Sequence, residues 1–210
     1  MKFIKNILKQ IYLNFLKLFF PSIYQTRNTA ASIKFKTIFF QKILGKNRQA
    51  YWPMHFTSKV SGVNNIYVGI GSAPGLSFGC YIQGVGKIKI GNYVLMAPNV
   101  GIISLNHDLY DHRKHSSGAS VVIGDYSWIG MNAVILPNVV LGDFTIVAAG
   151  AVVTKSFPDG YCVIGGNPAK VIKYLEKDKC VRYKNEYEYY GYYSKKEFEE
   201  KFKLKKIQNL

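Results

Sequence analysis

Three of the chain's four histidines fall in one run, His107-Asp108-Leu109-Tyr110-Asp111-His112-Arg113-Lys114-His115. An imidazole titrates near neutral pH, with an ordinary pKa of about 6.5, so it can take up a proton and return it within one reaction cycle. A neighbouring carboxylate can orient the ring and stabilise its protonated form, and Asp108 and Asp111 are both close enough in sequence for that. The same side chains are also metal ligands. On these residues alone, proton transfer, metal binding and a plain solvated loop all stay open.

The segments around the run set its frame. From Ile123 to Val153 the sequence repeats every six residues: Ile123, Ile129, Ile135, Leu141, Val147 and Val153 are all aliphatic. Small or β-branched residues follow four places later at Ser127, Ala133, Val139, Thr145 and Ala151, and Gly124, Gly130, Gly142 and Ala148 come directly after aliphatic positions. This period suits neither an amphipathic helix nor a long alternating strand. It suits a coil of very short strands whose aliphatic residues stack from turn to turn. Strand alternation then turns Trp128, Val134, Val140, Ile146 and Val152 outward, an apolar row that predicts a cover.

Upstream the pattern is interrupted. Ile70, Leu76 and Ile82 are six apart; the register slips by two at Gly84-Val85-Gly86; Ile90, Met96 and Ile102 resume it. The coil is expected to start near Ile66, after a leading loop and first strand over 51–65. Residues 103–122 carry no repeat and read as a loop extruded from the coil, the usual place for function in repeat folds. Gly69–Gly75 is glycine-rich but lacks the Lys-Ser/Thr pair and helix of a phosphate loop, so it reads as turns.

On these motifs the chain resembles the hexapeptide-repeat acyltransferases, over about residues 66–175. The resemblance implies an all-β, left-handed parallel β-helix with three hexads per coil. Ile123-Gly124-Asp125-Tyr126 and Leu141-Gly142-Asp143-Phe144 stand three hexads apart. It also implies acetyl-CoA as acyl donor and a homotrimer. In members that act on sugar hydroxyls, a catalytic histidine follows an Ala-Pro-Asn-Val coil. Ala97-Pro98-Asn99-Val100 and then His107 keep that order, which implies His107 as general base; Asp108, a further catalytic candidate, or Asp111 could orient its ring. Ser127-Trp128-Ile129-Gly130 implies that Trp128 flanks the pantetheine arm. Gly130 and Ala149 match positions whose backbone lines the CoA channel. Val153-Thr154-Lys155 and Gly166-Asn167-Pro168-Ala169-Lys170 imply that Lys155, Lys170 and Lys173 meet the nucleotide phosphates. One departure concerns the acceptor: the family's Asn-x-Asn falls here on Ser77 and Gly79, which leaves Gln83, Asn99 and Asp111 as candidate substrate contacts. Related β-helix enzymes that hold zinc spread their histidines over separate coil faces, so no metal is expected. The combination resembles acetyltransferases of capsule or O-antigen assembly.

Composition limits the remainder. The 210 residues accommodate one ordinary domain with appendages: a basic amphipathic segment over 1–50, the β-helix over 51–173 and a helical tail over 174–210. Cys80, Cys162 and Cys180 are odd in number and read as reduced thiols. No secretory leader pattern is evident, so a cytoplasmic protein is expected. The net charge is +16, and residues 1–107 hold 13 Lys and Arg but no acid. Such a one-sided field attracts polyanions or an anionic bilayer. Residues 3–20 form an amphipathic pattern, with Phe3, Ile4, Ile7, Leu8, Ile11 and Phe15 in the stripe, Lys5, Lys9 and Lys17 opposite, and Pro21 as the stop. Either this helix lies in the membrane interface, at the inner face of the cytoplasmic membrane, or it packs on protein. Residues 33–44 read as helix or strand. The tyrosines from Tyr183 to Tyr193 either dock the tail or stack on sugars.

The expected activity is therefore O-acetylation of a surface-polysaccharide sugar, as polysaccharide or oligosaccharide, free or lipid-linked, without nucleic acid as a partner. N-acetylation of an amino sugar nucleotide, or a membrane- or polyanion-binding scaffold without activity, are the alternatives.

Overall fold

The computed structural model describes residues 2–116 and 119–202, with only the backbone for Lys2 and Phe3. The parts of the expected loop at Ser117-Gly118 and of the expected tail at 203–210 lie outside the described residues, as does the side chain of Phe3.

The chain winds as a left-handed parallel β-helix with three faces. The first face stacks Lys59–Ser61, Tyr81–Gln83, Gly101–Ile103, Val134–Ile135 and Val152–Val153. The second stacks Ile66–Val68, Lys87–Ile90, Ser120–Ile123 and Val140–Leu141. The third stacks Leu95–Met96, Trp128–Ile129, Thr145–Val147 and Cys162–Gly165, and Lys170–Tyr174 closes it as an antiparallel strand.

The hexad aliphatics stack in register. Ile82 pairs with Ile102, Ile102 with Ile135, and Val153 with Ile135. On the second face Val68, Ile90, Ile123 and Leu141 form the equivalent column. All eight are 1% exposed or less. Each such side chain contributes roughly 1.5–3 kcal/mol through burial, so the columns are the main cohesive element.

Asn99, Asn132 and Asn138 take left-handed φ of 58°, 59° and 65° at coil corners, the conformation Asn tolerates best among residues with a side chain. Tyr93, Tyr126, Phe144 and Tyr161 also adopt it, at φ of 47° to 56°. Bulky residues are strained there. The four rings stack in succession at 5.0–5.2 Å, and this ladder offsets the strain. The tail clamps the ladder: Tyr126 donates its hydroxyl to the Tyr183 carbonyl, Tyr183 packs on Tyr93 and Tyr126, and Arg182 bonds Asp143.

The structure revises several expectations. Lys59–Ser61 already pairs with the next coil, so winding begins before Ile66. Val68, rather than Ile70, fills the inward position, and Leu76 lies outside every strand. The early coils, Val68 to Ile90 and Ile82 to Ile102, are each longer than three hexads, and this excess shifts the spacing. Strands claim Ile103 and Ser120–Ile123, trimming the extruded loop to 104–119. The outward apolar residues are distributed over all three faces rather than in a single row: Trp128 and Ile146 on the third, Val134 and Val152 on the first, Val140 on the second.

Helix α1 covers Lys2–Phe19 and α2 covers Pro21–Thr26. The ambiguous 33–44 stretch is helical: α3 at Phe35–Ile38 runs into a π turn at Phe39–Ile43. Beyond Tyr174 the tail is less helical than its charge pattern suggests, with a hairpin of Tyr189–Tyr190 and Tyr193–Ser194 before α4 at Lys195–Phe202. Buried Gln41 joins these parts: its amide donates to the carbonyls of Ala50 and Trp52 and accepts from Met54 N–H and the Tyr192 hydroxyl. Here the tyrosines dock the tail.

Candidate active site

The loop leaves the coil between the first and second faces. Ile90 and Ile123 stay paired across it, just as Ile123 and Leu141 do in the uninterrupted coil that follows, so the insertion leaves the rungs around it undisturbed.

Its root is fastened by Gln83. Gln83 Nε2 donates to the Leu105 carbonyl at 3.0 Å, and Oε1 accepts from the N–H groups of Leu105 at 3.0 Å and Ser104 at 3.2 Å. Gln83, expected as an acceptor contact, thus braces the loop root. Above the root the loop folds back on itself. Ser116 N–H donates to the Asn106 carbonyl, Asp108 N–H donates to that of Lys114, and His107 bridges to His115.

His107 lies on this short ladder, exposed, with its ring stacked on His115 at 4.6 Å. Its Nδ1 is 2.7 Å from the His112 carbonyl oxygen. A carbonyl only accepts, so this contact selects the tautomer protonated at Nδ1 and leaves Nε2 with its lone pair. No hydrogen bond to Nε2 is present among the described residues.

The carboxylates do other work. Asp108 Oδ1 accepts the N–H groups of Tyr110 and Asp111, both at 2.9 Å, and these bonds hold its carboxyl below the ordinary value. Asp111 is lowered chiefly by the Arg113 guanidinium, bound at 2.9 and 3.1 Å. Neither carboxylate touches His107, so the expected partnership of Asp108 or Asp111 is replaced by the His112 carbonyl; both acids shape the turn. The turn presents Leu109 and Tyr110 at 84% and 98% exposure, a feature the sequence reading passed over. Among the described residues no three His, Cys, Asp or Glu converge as metal ligands.

The other candidates fall elsewhere. Trp128 stands half exposed on the third face, in an outward column with Leu95, Ile146 and Val163. Gly130 and Ala149 meet at the next corner. A Cβ on Gly130 would lie 2.6 Å from Ala149 N and 2.7 Å from the Val147 carbonyl oxygen, so this approach requires glycine. Lys170 and Lys173 lie exposed on the closing strand of the third face. Lys155 follows the strand Val152–Val153, on the same prism edge as the loop, its ammonium over Phe157. Asn99 is an exposed corner residue between the third and first faces.

One chain therefore separates its candidates. The loop projects from the edge between faces one and two, and Trp128, Lys170 and Lys173 occupy the face opposite that edge. The Trp128 face has a cleft of about 320 Å³, walled by Leu95, Ala97, Ser77 and, from the N-terminal segment, Ser32 and Lys34. Sequence reasoning gave no hint that 30–34 would cross there.

Fold and loop together define a β-helix of six-residue repeats with a histidine-bearing insertion. The family model for the bacterial transferase hexapeptide, six repeats, matches residues 120–155. Galactoside O-acetyltransferase of Escherichia coli K12 is 31% identical over 169 residues, spanning 79% of this chain and 77% of that protein. The chain belongs to the hexapeptide-repeat acyltransferase family. Protein CapG of Staphylococcus aureus is 46% identical over 93 residues, 42% of this chain and 54% of CapG. A solved galactoside acetyltransferase in complex with coenzyme A superposes with a TM-score of 0.58 at 26% identity, covering 74% of this chain and 80% of that one. This chain spans about half the length of most of the curated relatives it matches.

Proposed function

We propose that the protein is an acetyl-CoA-dependent O-acetyltransferase acting on a sugar hydroxyl of a surface polysaccharide, polymeric or still lipid-linked. The observation that carries this reading is the His107–His112 contact, which leaves an imidazole nitrogen available as base on an exposed loop. His107 Nε2 takes the proton of the acceptor hydroxyl as its oxygen attacks the thioester carbonyl. The C–S bond of the tetrahedral intermediate breaks, and the leaving thiolate regains the proton from His107. The products are the O-acetyl sugar and free CoA. A sugar hydroxyl is a poor nucleophile near neutral pH, which is why the base is needed. The coenzyme A complex and the galactoside named among the similar proteins support donor and acceptor class respectively.

The pantetheine arm would run past Trp128 and the Gly130–Ala149 corner, with Lys155, Lys170 and Lys173 toward the phosphates; Gln83, Asn99 and Asp111 are the candidate acceptor contacts. Because loop and Trp128 face lie on opposite sides of one chain, a complete site would take its loop from one subunit and its Trp128 face from the next. This supports a homotrimer with three shared sites.

Free-thiol release from acetyl-CoA, measured over a panel of hydroxyl and amine sugars with His107→Ala alongside, tests the proposal. Release that requires a hydroxyl sugar and His107 is the expected outcome. Normal release by His107→Ala would overturn the base assignment, and release with amine sugars alone would make the protein an N-acetyltransferase.

A further inference from the structure

Helix α1 is almost unsupported by the body of the protein. Of its described side chains, Leu16 alone is buried, where it packs on Ile23 and Ile33. Ile7, Ile11, Phe15 and Leu18 are 45–74% exposed. The apolar surface extends past the helix end: Phe15 meets Phe20 at 5.8 Å, Phe20 meets Phe35 of α3 edge-on at 4.8 Å, and Phe39 and Ile43 follow, 46% and 65% exposed.

The charged residues of this N-terminal segment are all cationic. Lys5, Lys9 and Lys17 are exposed on α1, and Lys34, Lys36 and Lys42 on or beside α3. No acid occurs before Asp108. An apolar patch this large on a water-facing helix calls for an occupant. A second copy of the same face would set lysine against lysine, which like-charge repulsion opposes. No helix among the described residues is long and apolar enough to cross a membrane. An anionic bilayer surface satisfies both features: acyl chains take up the aromatic and aliphatic residues, and headgroup charge meets the lysines.

We propose that α1 and the α3 turn form one docking face that lies in the interface of an anionic membrane. The segment from α2 to α3 supplies Ser32 and Lys34 to the cleft beside Trp128, so docking brings that cleft to headgroup level. This last consequence rests on the acyl-transfer reading; the docking itself does not.

The test is sedimentation of the full-length protein with vesicles of phosphatidylcholine alone or mixed with phosphatidylglycerol, at low and high salt. Two variants accompany it, Ile11→Glu/Phe15→Glu and Lys5→Ser/Lys9→Ser/Lys17→Ser. Light scattering reports oligomeric state, and thiol release with a soluble acceptor reports chemistry separately. The expected result is binding at least about ten-fold tighter to the anionic vesicles, weakened by salt, and weakened about ten-fold or more in each variant while oligomeric state is unchanged. Failure of the wild-type protein to bind anionic vesicles would overturn the proposal. So would unchanged vesicle binding by Ile11→Glu/Phe15→Glu with a changed oligomeric state, which would make the face an interface between copies. Absence of thiol release by the wild-type protein, with vesicle binding present, would count against the acyl-transfer reading alone.

Discussion

Gln83 and Leu105 bond reciprocally: the side-chain amide donates to the Leu105 carbonyl and accepts its N–H, both at 3.0 Å. One side chain thus imitates the pairing a neighbouring strand would give, at the point where the chain leaves the coil.

Gln83→Ala leaves these part-buried backbone groups without partners, a loss of about 1–3 kcal/mol to the loop root. We expect lower kcat, little change in CoA affinity and faster proteolytic nicking within 104–116. Gln83→Glu keeps the acceptor and loses the donor, so it should fall between. Unchanged nicking in Gln83→Ala would refute the brace.

Replacing His107 with Gln or Ala should lower kcat/KM by roughly 10²–10⁴, the range typical of a general base, with circular dichroism and CoA binding unchanged. The KM-against-kcat split separates this from damage to donor binding.

Gly130→Ala places a methyl group 2.6 Å from Ala149 N and 2.7 Å from a backbone carbonyl oxygen, and backbone cannot rotate aside. Overpacking of this kind costs about 1–3 kcal/mol. Calorimetry should show a lower Tm, and CoA affinity should fall with it; an unchanged Tm would mean that the corner yields freely.

Asp108 and Asp111 both have lowered carboxyl pKa values, for Asp108 from the Tyr110 and Asp111 N–H groups and for Asp111 from Arg113. A group lowered in the folded state stabilises above its unfolded value and loses that contribution as pH falls through its folded value. The turn should therefore be intact at pH 5 and loosen below the ordinary carboxylate value of 3.8. Amide exchange of Tyr110, Asp111 and Arg113 against pH checks this. Protection that rises on acidification would contradict it.

His107→Ala and Trp128→Ala subunits, each defective alone, should regain activity when co-assembled if the loop and the Trp128 face of a site belong to different chains. Random mixing in equal amounts would restore about a quarter of the sites. No recovery in verified mixed trimers would place both parts within one subunit.

The coil was legible wherever its period was undisturbed. From Ile123 to Val153 six-residue spacing and inward stacking coincide, because every turn there has the same length. At Ile70 and Leu76 the reading failed: spacing alone does not show that an early coil runs from Val68 to Ile90, past the length of three hexads. The motif drew attention to His107, but the contact of its Nδ1 was not legible, because the His112 carbonyl is a backbone group that no side-chain pattern announces. Residues 175–194 carried charges that suggested helix, while their tyrosines found tertiary partners in Gln25, Gln41 and the aromatic ladder.

The histidine-bearing insertion enters and leaves at residues that remain paired rung to rung. The scaffold is therefore indifferent to what the insertion contains. A segment inserted at this edge can be exchanged or lengthened while the rungs on either side of it keep their register, so the histidine loop is mechanically a removable stitch in the coil.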